Sequence, residues 1–319
     1  MAAAKIVLEP VFEADFLPSS YGFRPGLSAH HALETVRRTV NQGEVWVLDA
    51  DIRSCFDEID HDALLAQIER RVCDRRLLKL LRGWLRAGVF EGGIVAAIEA
   101  GTPQGSPISP LLANIALHTL DEAWHASGRR LGVLVKYAED LVALCATREQ
   151  AEEARELVAA VLDPIGLRLH PEKTRIVHLA RGAEGFDFLG FHHRMRKSWE
   201  WRGRWYLQKW PSKRAMASIR GKIRDRTDRR HARLPLEWAV EDLNRVLRGW
   251  SNYFRYGNSG QKFDHIDAYV NERLALLASV KHGRTGRNWV THFNYEWCTQ
   301  LGVYRLSGKV TRWPAHASR

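Results

Sequence analysis

Two adjacent acids stand at the tip of a predicted β-hairpin, in the stretch VKYAEDLVAL (135–144). The apolar runs on either side are typical of paired strands in a protein core, and Glu139 and Asp140 occupy the turn between them. Two like charges side by side repel each other, so their placement here needs a reason. Solvated acids are common in turns and give one explanation. A divalent cation shared by these carboxylates and a third acid gives the other.

A further acid of this kind stands at the end of another predicted core strand, EVWVLDAD (44–51). This short, β-rich run carries Asp49 and Asp51 near its end, where a rigid strand can hold carboxylates in place. A single acid at a strand end is often a turn or helix cap. Together with the turn of Glu139 and Asp140, however, the pattern favours a metal site.

The remaining apolar patterns predict an α+β domain followed by helices. A mainly antiparallel sheet with helices packed on it is the architecture that this alternation favours. Beyond Trp210, apolar residues recur at helical spacing, as from Leu243 to Phe254, so a second domain begins between 193 and 210. The predicted elements are helices near 61–71 (with Asp60 as N-cap), 108–124 and 149–162, and strands near 94–100, 132–145, 173–179 and 186–192.

The composition is that of a globular protein, with 45% apolar and 27% charged residues in a chain of 319. No run of about 18 apolar residues is present, so we expect no membrane span and a cytoplasmic location. The four cysteines are far apart and form no Cys-x-x-Cys pair. This argues against a zinc ribbon, a zinc-bound nuclease module and a disulfide framework.

The net charge of +11 is concentrated in the C-terminal part of the chain. Residues 194–319 contain 27 Lys and Arg against 10 Asp and Glu, whereas residues 1–193 contain 21 against 27. The basic part is also rich in tryptophan, which suits a polyanion with stackable bases, that is, a nucleic acid. A solvated basic face over an aromatic core is the alternative. A membrane surface is disfavoured because the aromatic residues are not gathered into one amphipathic helix with the lysines.

A loop rich in glycine and proline, GTPQGSPISP (101–110), is the remaining candidate for ligand binding. Its prolines stiffen the backbone, and Gly101 and Gly105 allow a polymer or ligand to approach closely. Gln104 offers an amide to a base edge. The same composition is also typical of simple turns, so the loop gains meaning only beside the acids.

Several stretches spread over nearly the whole chain carry a recognisable pattern. In order and spacing they resemble the reverse transcriptase/maturase encoded by bacterial group II introns. The stretches are SYGFRPGLSAHHAL (20–33), DADIRSCFDEIDH (49–61), GTPQGSPISPLLANIALHTLD (101–121), KYAEDLVAL (136–144), GLRLHPEKTRI (166–176), FDFLGF (186–191) and LRGWSNYFRYGNS (247–259).

The resemblance implies an α+β right-hand polymerase. Its palm, an antiparallel sheet with helices, and partial fingers would occupy residues 1–192. An α-helical thumb, or maturase domain, would follow over 193–282, and a basic C-terminal tail over 283–319. The implied activity is RNA-directed DNA polymerisation by a mobile element, together with a role in splicing the intron RNA.

The resemblance also implies roles for the acids. Asp51, Glu139 and Asp140 would be the catalytic acids and, with the Ile52 carbonyl, would hold two Mg²⁺ ions, for which Mn²⁺ can substitute. Phe56 would stand under the sugar of the incoming nucleotide, where its ring would clash with a ribose 2′-OH and so favour deoxynucleotides.

Other residues are implied to bind template, primer and dNTP. Gln104 and Gly105 would line the template and nucleotide pocket, and Lys173 would lie near the triphosphate. The stretch FDFLGF (186–191) would be the primer grip. Arg24 is a candidate for a phosphate contact, with pairing to an acid as the equal alternative.

The thumb is implied to hold intron RNA and the template–primer duplex, mainly through backbone and 2′-OH contacts. The residues expected to do so are exposed basic ones. They are Lys213, Arg214, Arg220, Lys222, Arg224, Arg248 and Arg255.

Because of two departures from the family pattern, the sequence leaves two functions open. The turn usually carries Tyr-Ala-Asp-Asp, and here Glu139 replaces the first Asp, adding a methylene of about 1.5 Å. By the same resemblance, the chain is expected to begin after the fingers segment that normally carries basic residues. The alternatives are therefore an active polymerase or an impaired maturase that binds intron RNA without polymerising. A homodimer, or a separate segment that completes the fingers, is compatible with either.

Overall fold

A computed structural model describes the chain as two compact units. The first comprises residues 1–189 and 197–206, and the second comprises 190–196 and 207–319. The residues described are 1–87, 89–91, 94–96, 100–102, 105–198, 203–283 and 292–313.

The first unit contains the predicted helices. Asp60 accepts a hydrogen bond from the backbone N–H of Ala63, which confirms it as the N-cap of the helix predicted near 61–71. The helices predicted near 108–124 and 149–162 are confirmed as well. The helices are α1 (Ala2–Glu13), α2 (Ala29–Gln42), α3 (Cys55–Glu58), α4 (His61–Glu69), α5 (Arg75–Arg86), α6 (Ser109–Ala123) and α7 (Arg148–Leu162).

A four-stranded antiparallel sheet forms the centre of this unit. Its strand order is β4-β5-β1-β6, so β1 lies between β5 and β6. The predicted α+β architecture with an antiparallel sheet is confirmed. The strands of the chain are β1 (Trp46–Asp51), β2 (Val89–Glu91), β3 (Ile94–Ala96), β4 (Val133–Tyr137), β5 (Asp140–Cys145), β6 (Arg175–His178), β7 (Phe186–Phe188), β8 (Phe191–Lys197) and β9 (Trp205–Pro211).

Packing fixes the strand ends in place. The two inner strands are largely buried, with Leu48, Leu141 and Ala143 fully inaccessible to solvent. Helix α7 packs against β1 and β5, and α6 packs against α4 and α7. Because each inner strand pairs with a strand on both sides and packs against a helix, it has little freedom to shift, so the residues at its end are held rigidly.

The second unit is mainly helical, as the apolar spacing beyond Trp210 predicted. Buried residues at helical spacing include Leu243, Leu247 and Phe254 on one helix and Ile266 and Val270 on the next. No helix in the described ranges is long and apolar enough to cross a membrane. The helices are α8 (Lys213–Arg226), α9 (Leu236–Phe254), α10 (Gly260–Lys281) and α11 (Tyr295–Gln300).

The segment that was expected to form a basic tail from residue 283 is in part packed onto these helices. Asn244 of α9 donates from Nδ2 to the Gly302 carbonyl at 2.8 Å and accepts from the Tyr304 N–H at 2.7 Å. The Asp267 carboxylate of α10 accepts from the backbone N–H of Leu306 at 3.0 Å. Residues 302–306 therefore belong to the helical unit.

Candidate active site

The acidic turn and the end of β1 meet in the sheet. Strands β1 and β5 are antiparallel neighbours, and their register pairs Asp51 directly with Asp140. Directly opposed residues of an antiparallel pair project to the same face, with Cβ atoms about 5 Å apart. The structure thus brings together the two acids that the sequence analysis placed at a metal site.

The turn itself is tied to the residue after β1. Ala138 has a left-handed backbone with φ of 54°, and the Glu139 carbonyl accepts a hydrogen bond from the Ile52 N–H at 3.2 Å. Ile52 is buried at 2% exposure. This link holds the hairpin turn against the end of the neighbouring strand.

Two cavities meet at these acids. One, of about 590 Å³, is lined by Glu139, and the other, of about 310 Å³, is lined by Asp140. Asp51 and Lys173 line both. The two adjacent acids of the turn therefore face different spaces, and Asp51 stands at the boundary between them. The larger cavity is also lined by Ile52, Ser54, Cys55, Phe56, Asp57, Gly105, Ser106, Ser109 and Pro110.

The ionised form of Asp140 is disfavoured in its surroundings. Burial, followed by the negative charges of Glu139, Asp51 and Asp49, raises the pKa of Asp140 to about 6. Lys173 acts in the opposite direction. A carboxyl group whose ionised form is disfavoured in this way is stabilised by any cation placed beside it.

Asp49 lies two residues before Asp51 on β1 and is in a similar state. Burial raises the pKa of Asp49 to about 6, although its hydrogen bond to Arg175 acts to lower it. Arg175 Nε lies 3.1 Å from an Asp49 carboxylate oxygen. Asp187 and Asp51 add further negative charge.

Lys173 is the basic residue closest to the site. Its ammonium lies 3.1 and 3.2 Å from the two carboxylate oxygens of Asp51, and its side chain is 57% exposed. An exposed ion pair of this kind contributes little to stability, because water solvates both partners well. The side chain is therefore free to exchange Asp51 for another anion.

The donor set fits a hard divalent cation. Asp51 and Asp140 supply carboxylate oxygens, and Ile52, the next residue after Asp51, has a backbone carbonyl. Oxygen atoms of these kinds are the ligands that Mg²⁺ prefers. In the described part of the chain, no three His, Cys, Asp or Glu side chains are arranged to hold a metal ion together. Asp51, Glu139 and Asp140 thus form no such group in the structure, and a bound ion would take its remaining ligands from water or substrate phosphate.

The Gly-Pro loop is attached to the segment that carries Phe56. The N–H of Thr102 donates to the Phe56 carbonyl at 2.6 Å, and the N–H of Gly101 donates to the Ile59 carbonyl at 2.8 Å. Gly101 has φ of 91°, and a Cβ there would lie 2.6 Å from the Asp57 carbonyl oxygen. Only glycine fits at Gly101 without displacing α3.

The structure describes Gly105 of this loop and the predicted primer-grip stretch, but it does not describe Gln104. Gly105 lines the larger cavity together with Phe56. Gln104 lies outside the described residues. The proposed primer-grip stretch (186–191) reaches the smaller cavity through Asp187, Phe188 and Leu189.

Arg24 is held within the protein, so the structure favours pairing with an acid over a phosphate contact. Its guanidinium pairs with Glu13 at 2.6 Å and donates to the carbonyls of Leu17 and Ser20 at 2.7 and 2.9 Å. Its side chain is only 9% exposed. With these partners the group is needed to satisfy buried carbonyls, which corrects its candidacy as a residue that meets nucleotide phosphates.

The predicted RNA-binding residues are mostly on the surface of the second unit. Arg248 lies over the Tyr304 ring at 5.5 Å, and Arg220 over the Tyr269 ring at 5.9 Å. Arg255 is half-buried and donates to the Tyr256 hydroxyl at 2.8 Å. The exposed members are Lys213, Arg214, Arg220, Lys222 and Arg224 of α8, and Arg248 of α9.

Comparisons with known proteins show which family the chain is similar to. The reverse transcriptase (RNA-dependent DNA polymerase) family matches residues 2–193, and the group II intron, maturase-specific domain matches residues 216–295. The chain is 35% identical to Protein YkfC of Escherichia coli strain K12 over 231 residues, covering 61% of this chain and 60% of that protein. It is 42% identical over 120 residues to the group II intron-encoded protein LtrA of Lactococcus lactis subsp. cremoris, covering 38% of this chain and 20% of LtrA.

The fold has a counterpart among solved structures. Apo telomerase from Candida tropicalis superposes with a TM-score of 0.51 at 10% identity, covering 88% of this chain and 57% of that one. At such low identity the match concerns the fold alone. On the strength of the two domain matches, the chain belongs to the reverse transcriptase family and carries the maturase-specific domain of group II introns.

Proposed function

We propose that this protein is an RNA-directed DNA polymerase of the group II intron type. The observation that carries the proposal is the register of Asp51 with Asp140 at the boundary of two cavities, one of which is lined by Phe56. Asp51 and Asp140, with the Ile52 carbonyl, would hold Mg²⁺. When bound, Mg²⁺ supplies the positive charge that activates a primer 3′-OH and stabilises the leaving pyrophosphate.

The protein's own residues would bind and orient the substrates. Phe56 would lie against the sugar of the incoming dNTP, and Gly105 would allow the nucleotide or template to approach the loop closely. Lys173 would exchange its contact with Asp51 for the triphosphate. The bound cation would take over the neutralisation of Asp51 that Lys173 supplies in its absence, which leaves the ammonium available for the phosphates.

Glu139 would set the efficiency of this site. Its side chain lines the same cavity as Asp51 and is one methylene, about 1.5 Å, longer than that of Asp. A displacement of about 1 Å in a catalytic group can cost roughly 100-fold in rate. We therefore expect Glu139→Asp to polymerise faster than the natural chain.

Primer extension tests the proposal. The purified chain would be assayed on poly(rA) with an oligo(dT) primer, with Mg²⁺ and separately with Mn²⁺, beside the Asp51→Ala and Glu139→Asp variants. Extension that requires a divalent ion and is abolished by Asp51→Ala would support the polymerase. No extension by any of the three proteins would reject it.

A second function, RNA binding as a maturase, is supported by the matched domain over residues 216–295 and by the exposed basic residues of α8. Its partner would be intron RNA, held through phosphates and 2′-hydroxyls. Replacing Arg220 and Arg224 by Gln should weaken binding to structured RNA and reduce the salt dependence of log K, by a slope of roughly one for each phosphate that is no longer neutralised. The Arg75→Gln variant, on the first unit, is the matched control.

Measurements of RNA binding and of primer extension distinguish the maturase function from the polymerase function. A chain that binds RNA with salt-sensitive affinity but fails to extend a primer, even as Glu139→Asp, would be a maturase without polymerase activity. A chain that does both would combine the functions. Equal RNA binding by the Arg220/Arg224 variant and the control would reject α8 as the RNA-binding surface.

A further inference from the structure

Phe23 is held in an unusual state near the larger cavity. Its backbone has φ of 57°, a left-handed conformation that residues with a Cβ rarely adopt, and its apolar side chain is 49% exposed. Strain of this kind persists only where the surrounding structure fixes it, and such positions concentrate at functional sites. The segment around Phe23 shows what fixes it.

The residues before Phe23 are bonded to strand β4 next to the acidic turn. The Tyr21 N–H donates to the Lys136 carbonyl at 2.9 Å, and the Lys136 N–H donates to the Ser19 carbonyl at 2.7 Å. The Lys136 ammonium and the Ser19 hydroxyl both bind the same buried carboxylate, that of Asp121. The segment is therefore joined to β4 through backbone and side chains alike.

Gly22 brings this segment into direct contact with the turn. A Cβ on Gly22 would lie 2.4 Å from the backbone nitrogen of Ala138, so no other residue fits. The Gly22 carbonyl accepts a hydrogen bond from the buried Asn114 amide at 2.9 Å. On the other side of Phe23, the Arg24 guanidinium is bonded to Glu13. Phe23 is thus anchored at both neighbours.

The Phe23 ring lies near two aromatic rings of the site. Its centroid lies 6.4 Å from that of Phe56, at an interplanar angle of 77°, and 6.5 Å from that of Tyr137. Phe56 lines the larger cavity, and Phe23 is not among the described residues that line it. The contact with Phe56 therefore gives Phe23 an indirect route to a ligand in that cavity.

We infer that Phe23 is a positioning residue for sugar selection: its edge-to-face contact keeps the Phe56 ring from retreating when a ribonucleotide enters. This inference rests on the proposed function, in which Phe56 lies against the sugar of the nucleotide. A ring that excludes a 2′-OH by steric contact is selective only if it cannot turn away, and Phe56 itself is only half-buried. An edge-to-face contact with a residue whose backbone is held on both sides supplies that restraint.

Four versions of the chain test the inference. Phe23→Gly and Phe23→Asn remove the ring and suit a left-handed backbone better than Phe does, so both should fold. Phe23→Tyr keeps the ring and can direct its hydroxyl to solvent. Relative to the natural chain, the Gly and Asn variants should lose about two- to tenfold in the preference for dNTP over rNTP, the range an aromatic contact supplies. Phe23→Tyr should retain the preference.

The preference is measured as binding, so that it does not depend on turnover. Each protein would be loaded with an RNA template and a DNA primer that ends in a dideoxynucleotide. Fluorescent dTTP and the matching UTP analogue would then be titrated in Mg²⁺, and near-ultraviolet circular dichroism would verify folding. The readout is the ratio of the two dissociation constants, which a general loss of stability would leave unchanged.

Each outcome has a distinct meaning. A reduced ratio in both ring-deleted variants, with the ratio intact in Phe23→Tyr, supports the inference. An unchanged ratio in Phe23→Gly and Phe23→Asn overturns the role of Phe23 and leaves the proposed function standing. A natural chain that binds neither nucleotide contradicts the proposed function and this inference with it. A natural chain that binds both nucleotides equally has no sugar selection to position, which overturns this inference alone. Failure of both ring-deleted variants to fold would make Phe23 a residue of the fold and would overturn the inference as well.

Discussion

The Lys136 ammonium lies 2.8 Å from the Asp121 carboxylate, and neither side chain is accessible to solvent. Asp121 also accepts from the Ser19 hydroxyl at 2.8 Å, and Lys136 also donates to the Leu117 carbonyl at 2.8 Å. The pair joins α6, β4 and the segment that leads to Phe23. A buried ion pair is tolerated only when both charges have partners, so this contact holds the first unit together beneath its acidic turn.

Breaking the pair from one side should destabilise the fold strongly. Asp121→Leu leaves the Lys136 charge buried and unpaired, and we expect the free energy of unfolding to fall by about 3–5 kcal/mol. Urea denaturation followed by circular dichroism measures it. Glu152→Leu, which breaks the exposed pair with Arg148, is the matched control and should cost less than about 1 kcal/mol. Equal losses in the two variants would contradict the assignment.

The same pair predicts how stability changes at low pH. Burial acts to raise the pKa of Asp121, but Lys136, His118 and Ser19 outweigh it, so the pKa lies below its ordinary value. A carboxyl group with a lowered folded pKa stabilises the fold at any pH above its unfolded pKa of about 3.9, and this stabilisation is lost as pH falls through the folded pKa.

Urea midpoints measured between pH 5 and pH 2.5 test this sign. The natural chain should lose stability with falling pH more steeply than the Asp121→Leu/Lys136→Met double variant, which has no pair to protonate. Parallel curves for the two proteins would mean that other carboxylates account for acid unfolding.

Alanine substitutions at Gly101 and at Gly105 form a matched pair that tests the loop beside Phe56. Both have positive φ, but a Cβ on Gly101 would collide with Asp57, whereas a Cβ on Gly105 would meet nothing within 4 Å. Gly105→Ala should therefore cost only the backbone strain, about 1 kcal/mol, and Gly101→Ala roughly 2–4 kcal/mol because α3 must also shift. Thermal unfolding of the two variants checks the order. A larger loss in Gly105→Ala would show that the loop does not clamp α3.

Asp267 should hold the C-terminal segment onto the helical unit. Its carboxylate accepts from the N–H groups of Leu306 and Ser307 at 3.0 and 2.9 Å, and Leu306 is fully buried. Asp267→Ala leaves these donors without partners, and we expect a loss of about 2–3 kcal/mol and faster proteolysis of the segment after residue 302. Asp264→Ala, which removes one bond to the Ser307 hydroxyl, is the control and should change little. Equal protection of the segment in both variants would contradict this role.

Much of the fold follows from local patterns in the sequence. The apolar arms of the acidic hairpin, the strand that ends at Asp51 and the helices capped by residues such as Asp60 are all predictable, because strand and helix periodicities are set by neighbours along the chain. The pairing of Asp51 with Asp140 was expected from the resemblance to reverse transcriptases. The structure adds the register that puts these two Cα atoms opposite each other.

Local sequence patterns do not predict contacts between residues that are far apart along the chain. Lys136 interrupts an apolar run, a sign that it needs a buried partner, but Asp121 lies on a helix and Ser19 is 102 positions from Asp121. The partners of Arg24 were missed for the same reason. Phe23 belonged to a recognised stretch, yet its positive φ and its contact with Phe56 carry no local signature.

The sequence by itself determined which residues can carry the chemistry: the acids, the aromatic residue after the first strand, the Gly-Pro loop and the basic helices. Only the tertiary structure decided which charges are committed to the interior, as with Arg24 and Lys136, and which stay available, as with Lys173. The physical reason is burial. A charged side chain in water gains little from an ion pair, whereas the same side chain in the core requires a fixed partner of opposite charge. Its position along the chain does not reveal which of the two environments it occupies.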